Sequence, residues 1–197
     1  MDKKRFKKQL DFILEADKEK KILRQTHITG YERQENDAEH AWHMAIMIYL
    51  LKEYANEEFD VAKAMMMALT HDIVEIDAGD TYAYDEKGKE TQAEREAQAA
   101  KRLYGLLPED QMAELKGLFE EFEACETPEA RFVRAMDNFQ PLLLNDANEG
   151  KDWRAHNVKK SQVMKRNTRT KLGSEEIYDI AVEIIEANVK KGHIGEE

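Results

Sequence analysis

The sequence predicts an all-α fold, a single helical domain over residues 1–197, and three observations carry that expectation. Apolar residues recur almost throughout at the three- and four-residue spacing of a helix, not at the two-residue spacing of a strand. Only three prolines and nine glycines punctuate the 197 residues. That length suits one medium domain with one core, closed without disulfides or repeats.

The elements follow in order. A first helix is expected over roughly Lys4 to Glu15, with Phe6, Leu10 and Ile13 or Leu14 in one inward stripe and lysines opposite. A polar connection, Gln25 to Asn36, leads into NDAEHAWHMAIMIYLLKEYA, where Asn36 and Glu39 have the spacing of a capping box and the helix runs to about Ala55. Asp60 can cap the next helix, which buries Val61, Ala64, Met65, Ala68 and Leu69 up to His71 and Asp72 and breaks near Asp77 to Gly79. After the loop DTYAYDEKGKE, an Ala/Glu/Arg-rich helix ends near Leu107, and Pro108 with EDQM opens another. Thr127 as N-cap and Pro128 at the first helical position start TPEARFVRAMDNFQPLLLND, which Pro141 should kink or end by removing a backbone donor. The stretch EGKDWRAHNVKKSQVMKRNTRT is polar and basic. A last helix, about Ser174 to Val189, turns Ile177, Ile180, Ile184 and Ile185 inward.

Composition excludes several classes of function. With 41 acidic against 30 basic residues the net charge is −11, which argues against a nucleic acid polymer or an anionic membrane as partner. Cys125 is the single cysteine, so an intramolecular disulfide and a zinc site of several thiolates are both excluded, and the thiol is expected to be packed and inert. No run of about 18 apolar residues occurs, and the basic N-terminus lacks a secretory apolar core. A cytoplasmic protein is expected.

Chemistry concentrates in ALTHDIVEIDAGD, where His71 and Asp72 stand on an apolar segment and Glu75, Asp77 and Asp80 follow. Residues three and four apart share a helix face, so His71, Asp72 and Glu75 project over one arc. An imidazole beside a carboxylate suits a divalent cation, although such a pair is common without one. His40 strengthens the case: Met44, Met47, Ile48 and Leu51 continue its stripe, so a second helix can bring an imidazole to the same ion. His43 is readable as a ligand but is expected to be packed or hydrogen-bonded. Asp137, on an apolar helix face one turn after Arg134, is either a fourth ligand or a buried ion pair.

These residues resemble the HD-domain metal-dependent phosphohydrolases, in the branch that includes 5'-deoxynucleotidases. The order His40, His71-Asp72, Asp137 is similar to that family's H…HD…D pattern. RQENDAEHAWHMA, HDIVEIDAGDTYAYD and TPEARFVRAMDNFQPLLLN extend the likeness over nearly the whole chain. The resemblance implies a helical bundle with its metal site between helices, ligated by His40, His71, Asp72 and Asp137, and places His43 outside the ligand set. It makes Glu75 and Asp80 carboxylates that support the ligands or act in catalysis; either could position the attacking water and take its proton, with Glu75 favoured beside the ligands and Asp80 for water activation. Arg33 and Arg24 are the implied substrate clamps, since guanidinium bonds phosphate in a bidentate way.

One divalent ion is expected, Mn, Co, Mg, Fe or Zn, because mixed nitrogen and oxygen ligation selects no single metal. The implied substrate is a small nucleotide, a (deoxy)nucleoside 5'-monophosphate, attacked by water. A homodimer is expected as well. Lys165, Arg166 and Arg169 read first as a solvated helix face and second as a pocket rim. Trp42 and Tyr82 are candidates for stacking on a base, with Trp42 expected in the core. A nucleotide sensor without turnover, a hydrolase of another phosphoester and a di-iron oxidase are the competing functions.

Overall fold

The computed structural model describes residues 1–197. Helix α1 (Lys3–Ala16) starts at Asp2, whose carboxylate accepts from the backbone N–H groups of Lys4 and Arg5 at 2.9 and 3.1 Å. A 3-10 turn, Asp17–Lys21, leads to a hairpin of β1 (Leu23–His27) and β2 (Gln34–Asn36), antiparallel with Leu23 opposite Asn36 and His27 opposite Gln34. This hairpin replaces much of the expected polar connection. Its buried residues are Arg24 and Glu35, so it carries no apolar alternation and its inward face is stabilised by charge pairing.

Helix α2 (Asp37–Leu51) has the expected capping box. Asn36 Oδ1 accepts from the Glu39 backbone at 3.0 Å, and the Glu39 carboxylate accepts from the Asn36 backbone at 3.2 Å. The α-helix stops at Leu51 and tightens into a 3-10 turn, Lys52–Tyr54, just short of Ala55. Helix α3 (Val61–Thr70) is capped by Asp60; it passes into a 3-10 turn at His71–Val74 and a last turn, α4 (Glu75–Ala78). Gly79, at φ +75°, closes it, and only glycine adopts that backbone without strain.

The chain continues through α5 (Glu86–Lys89), α6 (Gln92–Tyr104), α7 (Glu109–Ala124), α8 (Pro128–Ala147), α9 (Lys151–Ala155), α10 (Lys160–Asn167), α11 (Thr170–Gly173) and α12 (Glu175–Lys190). Helix α8 is the centre of the fold. Its Phe132, Val133 and Met136 pack with Met44 and Ile48 of α2, Ala64 and Met67 of α3, and Ile177 and Ile185 of α12. A smaller cluster holds Phe12, Val74, Leu103, Tyr104 and Phe119.

Several expectations about faces are corrected. On α1 only Phe12 is buried, against the Tyr104 ring at 6.5 Å, while Phe6, Leu10, Ile13 and Leu14 stay exposed. The helix rests on the smaller cluster through Phe12, and Phe6 and Ile13 edge an open groove whose other wall carries Met66, Leu107 and Leu115. Trp42 is 62 % exposed rather than in the core, and Leu69 and Ile180 also face outward.

Pro141 does not end α8, which runs to Ala147. Core contacts on both sides of the proline hold the helix, and the carbonyl it leaves without a donor is met by a side chain described below.

Helix α11 abuts α8 so closely that a Cβ on Gly173 would lie 2.3 Å from the Arg131 carbonyl oxygen and 2.8 Å from Phe132 Cα. Because those atoms are backbone, Gly173→Ala is expected to destabilise the fold by about 1–3 kcal/mol. A drop in the urea midpoint at constant m-value checks this.

Candidate metal centre

Three elements converge on one buried point. Helix α2 delivers His40, the 3-10 turn after α3 delivers His71 and Asp72, and α8 delivers Asp137, all buried. His40 Nε2 lies 3.3 Å from Asp137 Oδ1, His71 Nε2 lies 3.0 Å from Asp72 Oδ1, and the imidazole centroids are 5.7 Å apart. The ligand atoms of His40, His71 and Asp72 all fall within 4.8 Å of one another.

The outer nitrogens fix the tautomers. His71 Nδ1–H donates to the Ala68 carbonyl at 2.8 Å, which leaves Nε2 as the inward atom, and that nitrogen has no aligned hydrogen-bond partner. His40 Nδ1–H donates to Gln140 Oε1 at 3.0 Å, so its Nε2 also faces inward. Gln140 is held in turn, its amide nitrogen donating to Glu35 at 2.7 Å and to His43 Nδ1 at 3.0 Å. Backbone and amide partners of this kind orient imidazoles toward a cation. His43 therefore supports His40 through Gln140 and stays outside the ligand group. The donor set of two inward imidazole nitrogens and two carboxylates, one nitrogen unpartnered, fits a divalent ion.

Charge reinforces the geometry. Burial disfavours the charged form of His71, yet the adjacent Asp72 carboxylate outweighs it and holds the ring up at about 9. Burial, with Arg24 nearby, pushes His40 down to about 4. Burial would raise Asp137, but the His40 hydrogen bond and Arg166 and Arg134 hold it well below the usual carboxylate range. A cation taking the inward nitrogen of His71 would then compete with a proton there. Binding at about pH 7.5 is expected to release roughly one proton, with affinity falling as the pH drops further below 9. Calorimetric titration in buffers of different ionisation heats reads this directly, and no release would place a neutral His71 in the free protein.

A second carboxylate group adjoins the first: Asp37, Glu75 and Asp80 also bring oxygens within 4.8 Å of one another. Burial and the charges of Asp72 and Asp37 drive Glu75 up to about 12, and burial with Asp72 raises Asp37 to about 7. Asp80 is half-buried and raised by burial. Burial and the neighbouring carboxylates thus favour the protonated form of Glu75.

Arg24 lies between the two groups. Its Nη1 is 2.9 Å from Asp72 Oδ2 and 3.2 Å from Asp37 Oδ1. It also lines two cavities that meet at Arg24, Asp80, Thr81 and Arg166. One cavity covers His71, Asp72, Glu75 and Asp137. The other runs past Gln25, Tyr82, Tyr84, Asn138 and Trp153.

Arg33 does not join them. Its exposed guanidinium pairs in a bidentate way with Glu39 at 2.6 and 2.8 Å, bracing the start of α2, and it lines neither cavity. Tyr82 stands in a cavity wall, whereas Trp42 does not. Lys165 is exposed beside Glu86, while Arg166 of the same helix reaches both cavities. Asp137 has the buried arginine partner that one sequence reading expects, Oδ2 being 3.3 Å from Arg134, while its Oδ1 faces His40 Nε2. Gln140, Glu35 and Asp37 were not anticipated. Asp37 and Gln140 each sit three residues after or before a predicted ligand on the same helix face, which is a signal the periodicity carries.

The HD domain family model matches residues 16–178, which takes in every residue of both carboxylate groups. This chain belongs to the HD domain family. Among HD-domain relatives, the 5'-deoxynucleotidase HDDC2 of Homo sapiens is 31% identical over 153 residues, covering 78% of this chain and 72% of that protein. The protein of the same name from Dictyostelium discoideum is 30% identical over 160 residues, covering 79% and 84%. A crystal structure described as a predicted metal-dependent phosphohydrolase, from Magnetospirillum magnetotacticum MS-1, is 47% identical. It superposes with a TM-score of 0.92 over 96% of this chain and 95% of that one. The family resemblance carried by His40, His71-Asp72 and Asp137 is borne out, as is the helical HD fold.

Proposed function

We propose that this HD-domain protein is a metal-dependent phosphomonoesterase that hydrolyses (deoxy)nucleoside 5'-monophosphates to nucleoside and phosphate. One observation carries the proposal: two imidazole nitrogens oriented inward and two carboxylates meet beneath a cavity that opens, past two arginines, into a second cavity walled by Tyr82 and Tyr84. The names borne by its relatives support the same chemistry.

In this reading His40, His71, Asp72 and Asp137 would hold one divalent ion, Mn, Co, Mg, Fe or Zn. When bound, such an ion supplies Lewis acidity and positive charge at a phosphoryl oxygen. Asp80, half-buried at the junction of the cavities, accepts the proton of the attacking water. Glu75, which holds its own proton, is a donor beside it rather than a second base. His71 and, after it, Arg24 keep Asp72 ionised, and Arg24 orders it through the 2.9 Å bond. The nucleoside occupies the cavity past Tyr82, where the Tyr82, Tyr84 and Trp153 rings stand among polar groups such as Gln25, Asn138 and Asn145 that can bond a base or sugar.

A homodimer in the cytoplasm belongs to the same proposal. Trp42, Ile46, Tyr49 and Leu50 of α2 and Met66 and Leu69 of α3 are all exposed, an apolar surface that a second copy would cover. Light scattering after size exclusion reads the mass.

The test of function is phosphate release from a panel of ribo- and deoxyribonucleoside monophosphates after chelation and separate return of Mn²⁺, Co²⁺, Mg²⁺ or Zn²⁺. Metal-restored release is the expected result. Nucleotide binding with no release under any metal would replace the enzyme with a sensor.

A further inference from the structure

A proline inside a helix has no N–H for the carbonyl four residues earlier. For Pro141 of α8 that carbonyl belongs to Asp137, whose side chain faces His40. The freed oxygen is taken by Arg166, reaching across from α10. Arg166 Nη2 donates to it at 3.4 Å and lies 3.8 Å from Asp137 Oδ1. Where the sequence led to a disrupted helix, the structure has an anchor for a guanidinium.

Arg166 differs from the other cations around the site. Arg24 is bonded to Asp37 and Asp72. Arg134 is bonded to Asp137 and Glu123 and lies 3.7 Å over the Phe122 ring. Arg166 donates only to the Asp137 carbonyl, its side chain is 24% exposed, and it lines both cavities where they meet. A guanidinium has five N–H donors, so most of its capacity is uncommitted. A phosphate monoester dianion entering a site rich in carboxylates needs such a cation, one with donors free to bond it; the Asp137 carboxylate, 3.8 Å away, offsets part of the Arg166 charge without taking a hydrogen bond.

We propose that Arg166 binds the substrate phosphate and is positioned for it by the Asp137 carbonyl that Pro141 frees. The assignment rests on the phosphomonoesterase reading for its substrate but not for its geometry. Any other residue at 141 would return an N–H to Asp137 and draw that carbonyl back into the helix, so the proline links the ligand-bearing helix to the phosphate-binding arginine.

The test compares wild type, Arg166→Ala, Arg166→Lys, Pro141→Ala and the double variant Arg166→Ala with Pro141→Ala. Two quantities are read: inorganic phosphate affinity by calorimetry, with and without Mn²⁺, and KM and kcat on the best nucleotide of the panel. Arg166→Ala is expected to weaken phosphate binding and raise KM about 10- to 100-fold, the scale of a charge-assisted hydrogen-bonded contact, with metal content and Tm unchanged. Arg166→Lys should recover part of the loss, because it keeps the charge and loses the fork. Pro141→Ala should shift phosphate affinity in the same direction by a smaller factor and add nothing to Arg166→Ala.

Unchanged phosphate affinity in Arg166→Ala, or a loss that tracks loss of metal, would overturn the assignment. Additive losses in the double variant would overturn the anchoring role of Pro141. If wild type hydrolyses no nucleotide yet binds phosphate through Arg166, the substrate reading fails and this assignment stands.

Discussion

Asp72→Ala is expected to abolish metal-dependent phosphate release, a fall of about a thousandfold or more. Removing a residue that merely orients a metal ligand typically costs 10- to 100-fold, and on the proposed ligand set this substitution removes a ligand itself. Three functions of one carboxylate disappear together. Its Oδ1 stands 3.0 Å from His71 Nε2 and would share the ion with it, its Oδ2 ties down Arg24 at 2.9 Å, and its charge helps keep the proton on Glu75. Asp72→Asn separates these roles, since the amide keeps the shape and an oxygen toward Arg24 while losing the charge. Both variants should release no phosphate with any metal, and Asp72→Asn should stay closer to wild type in Tm. Metal content per chain, measured beside turnover, distinguishes the outcomes. Release retained in Asp72→Ala would sink the four-residue ligand set, whereas metal retained without release would move Asp72 from ligation to catalysis.

The parts of the fold that the sequence made legible are those decided locally. Asn36 with Glu39, Asp60, and Thr127 with Pro128 each announce a helix start through bonds to backbone two or three residues away, and each bond is present. The faces of α1 and α2 were less legible, because burial depends on what arrives from elsewhere. Phe6, Leu10 and Ile13 form a proper stripe, but the smaller cluster meets α1 at Phe12, and Trp42 projects where no element of the chain packs. The hairpin was hidden for a related reason. Arg24 and Glu35 are buried against each other and against carboxylates far along the chain, so no apolar alternation marks the strands.

The candidate site divides in the same way. His40, His71, Asp72 and Asp137 interrupt otherwise apolar helix faces, and polar groups at such positions need partners, which makes them visible in one dimension. Glu35 was invisible, and Gln140 was marked only by its place three residues after Asp137, because what a glutamine bonds is known only when its oxygen is found 3.0 Å from His40 Nδ1. Among the arginines, nearness in sequence misled. Arg33 precedes α2 yet pairs outward with Glu39, while Arg166, in a segment that reads as a solvated basic face, reaches Asp137. Pro141 explains the difference: its structural consequence is a free carbonyl rather than a helix end, and what fills a carbonyl is settled by tertiary contact.

Arg24→Ala is expected to destabilise the protein by about 3–5 kcal/mol at pH 8, among the largest effects any single substitution here would have. The Arg24 side chain is 10% exposed and touches Asp37 at 0% and Asp72 at 12%, so deleting it strands one fully buried carboxylate and one that faces only a cavity. The loss should depend on pH in a definite direction. Asp37 already has its pKa raised by burial to about 7, against 3.8 for its unperturbed group, and loss of the guanidinium that lowers it raises it further. A raised folded-state pKa means that the folded protein holds the proton more tightly than the unfolded chain. The Asp37 part of the penalty is therefore nearly constant below about 7, where both folded proteins hold the proton, and grows as the pH climbs above that value, where Asp37 ionises in wild type but not in the variant. Urea denaturation of both proteins at about pH 5 and pH 8 should show the gap widening with pH. Arg24→Lys should fall between them, since one ammonium cannot reproduce the guanidinium contacts to Asp37 and Asp72. A gap below about 1 kcal/mol at pH 8 would be the value of a solvated surface pair, and would mean that Arg24 is placed for contact with a ligand and not for charge balance among the carboxylates.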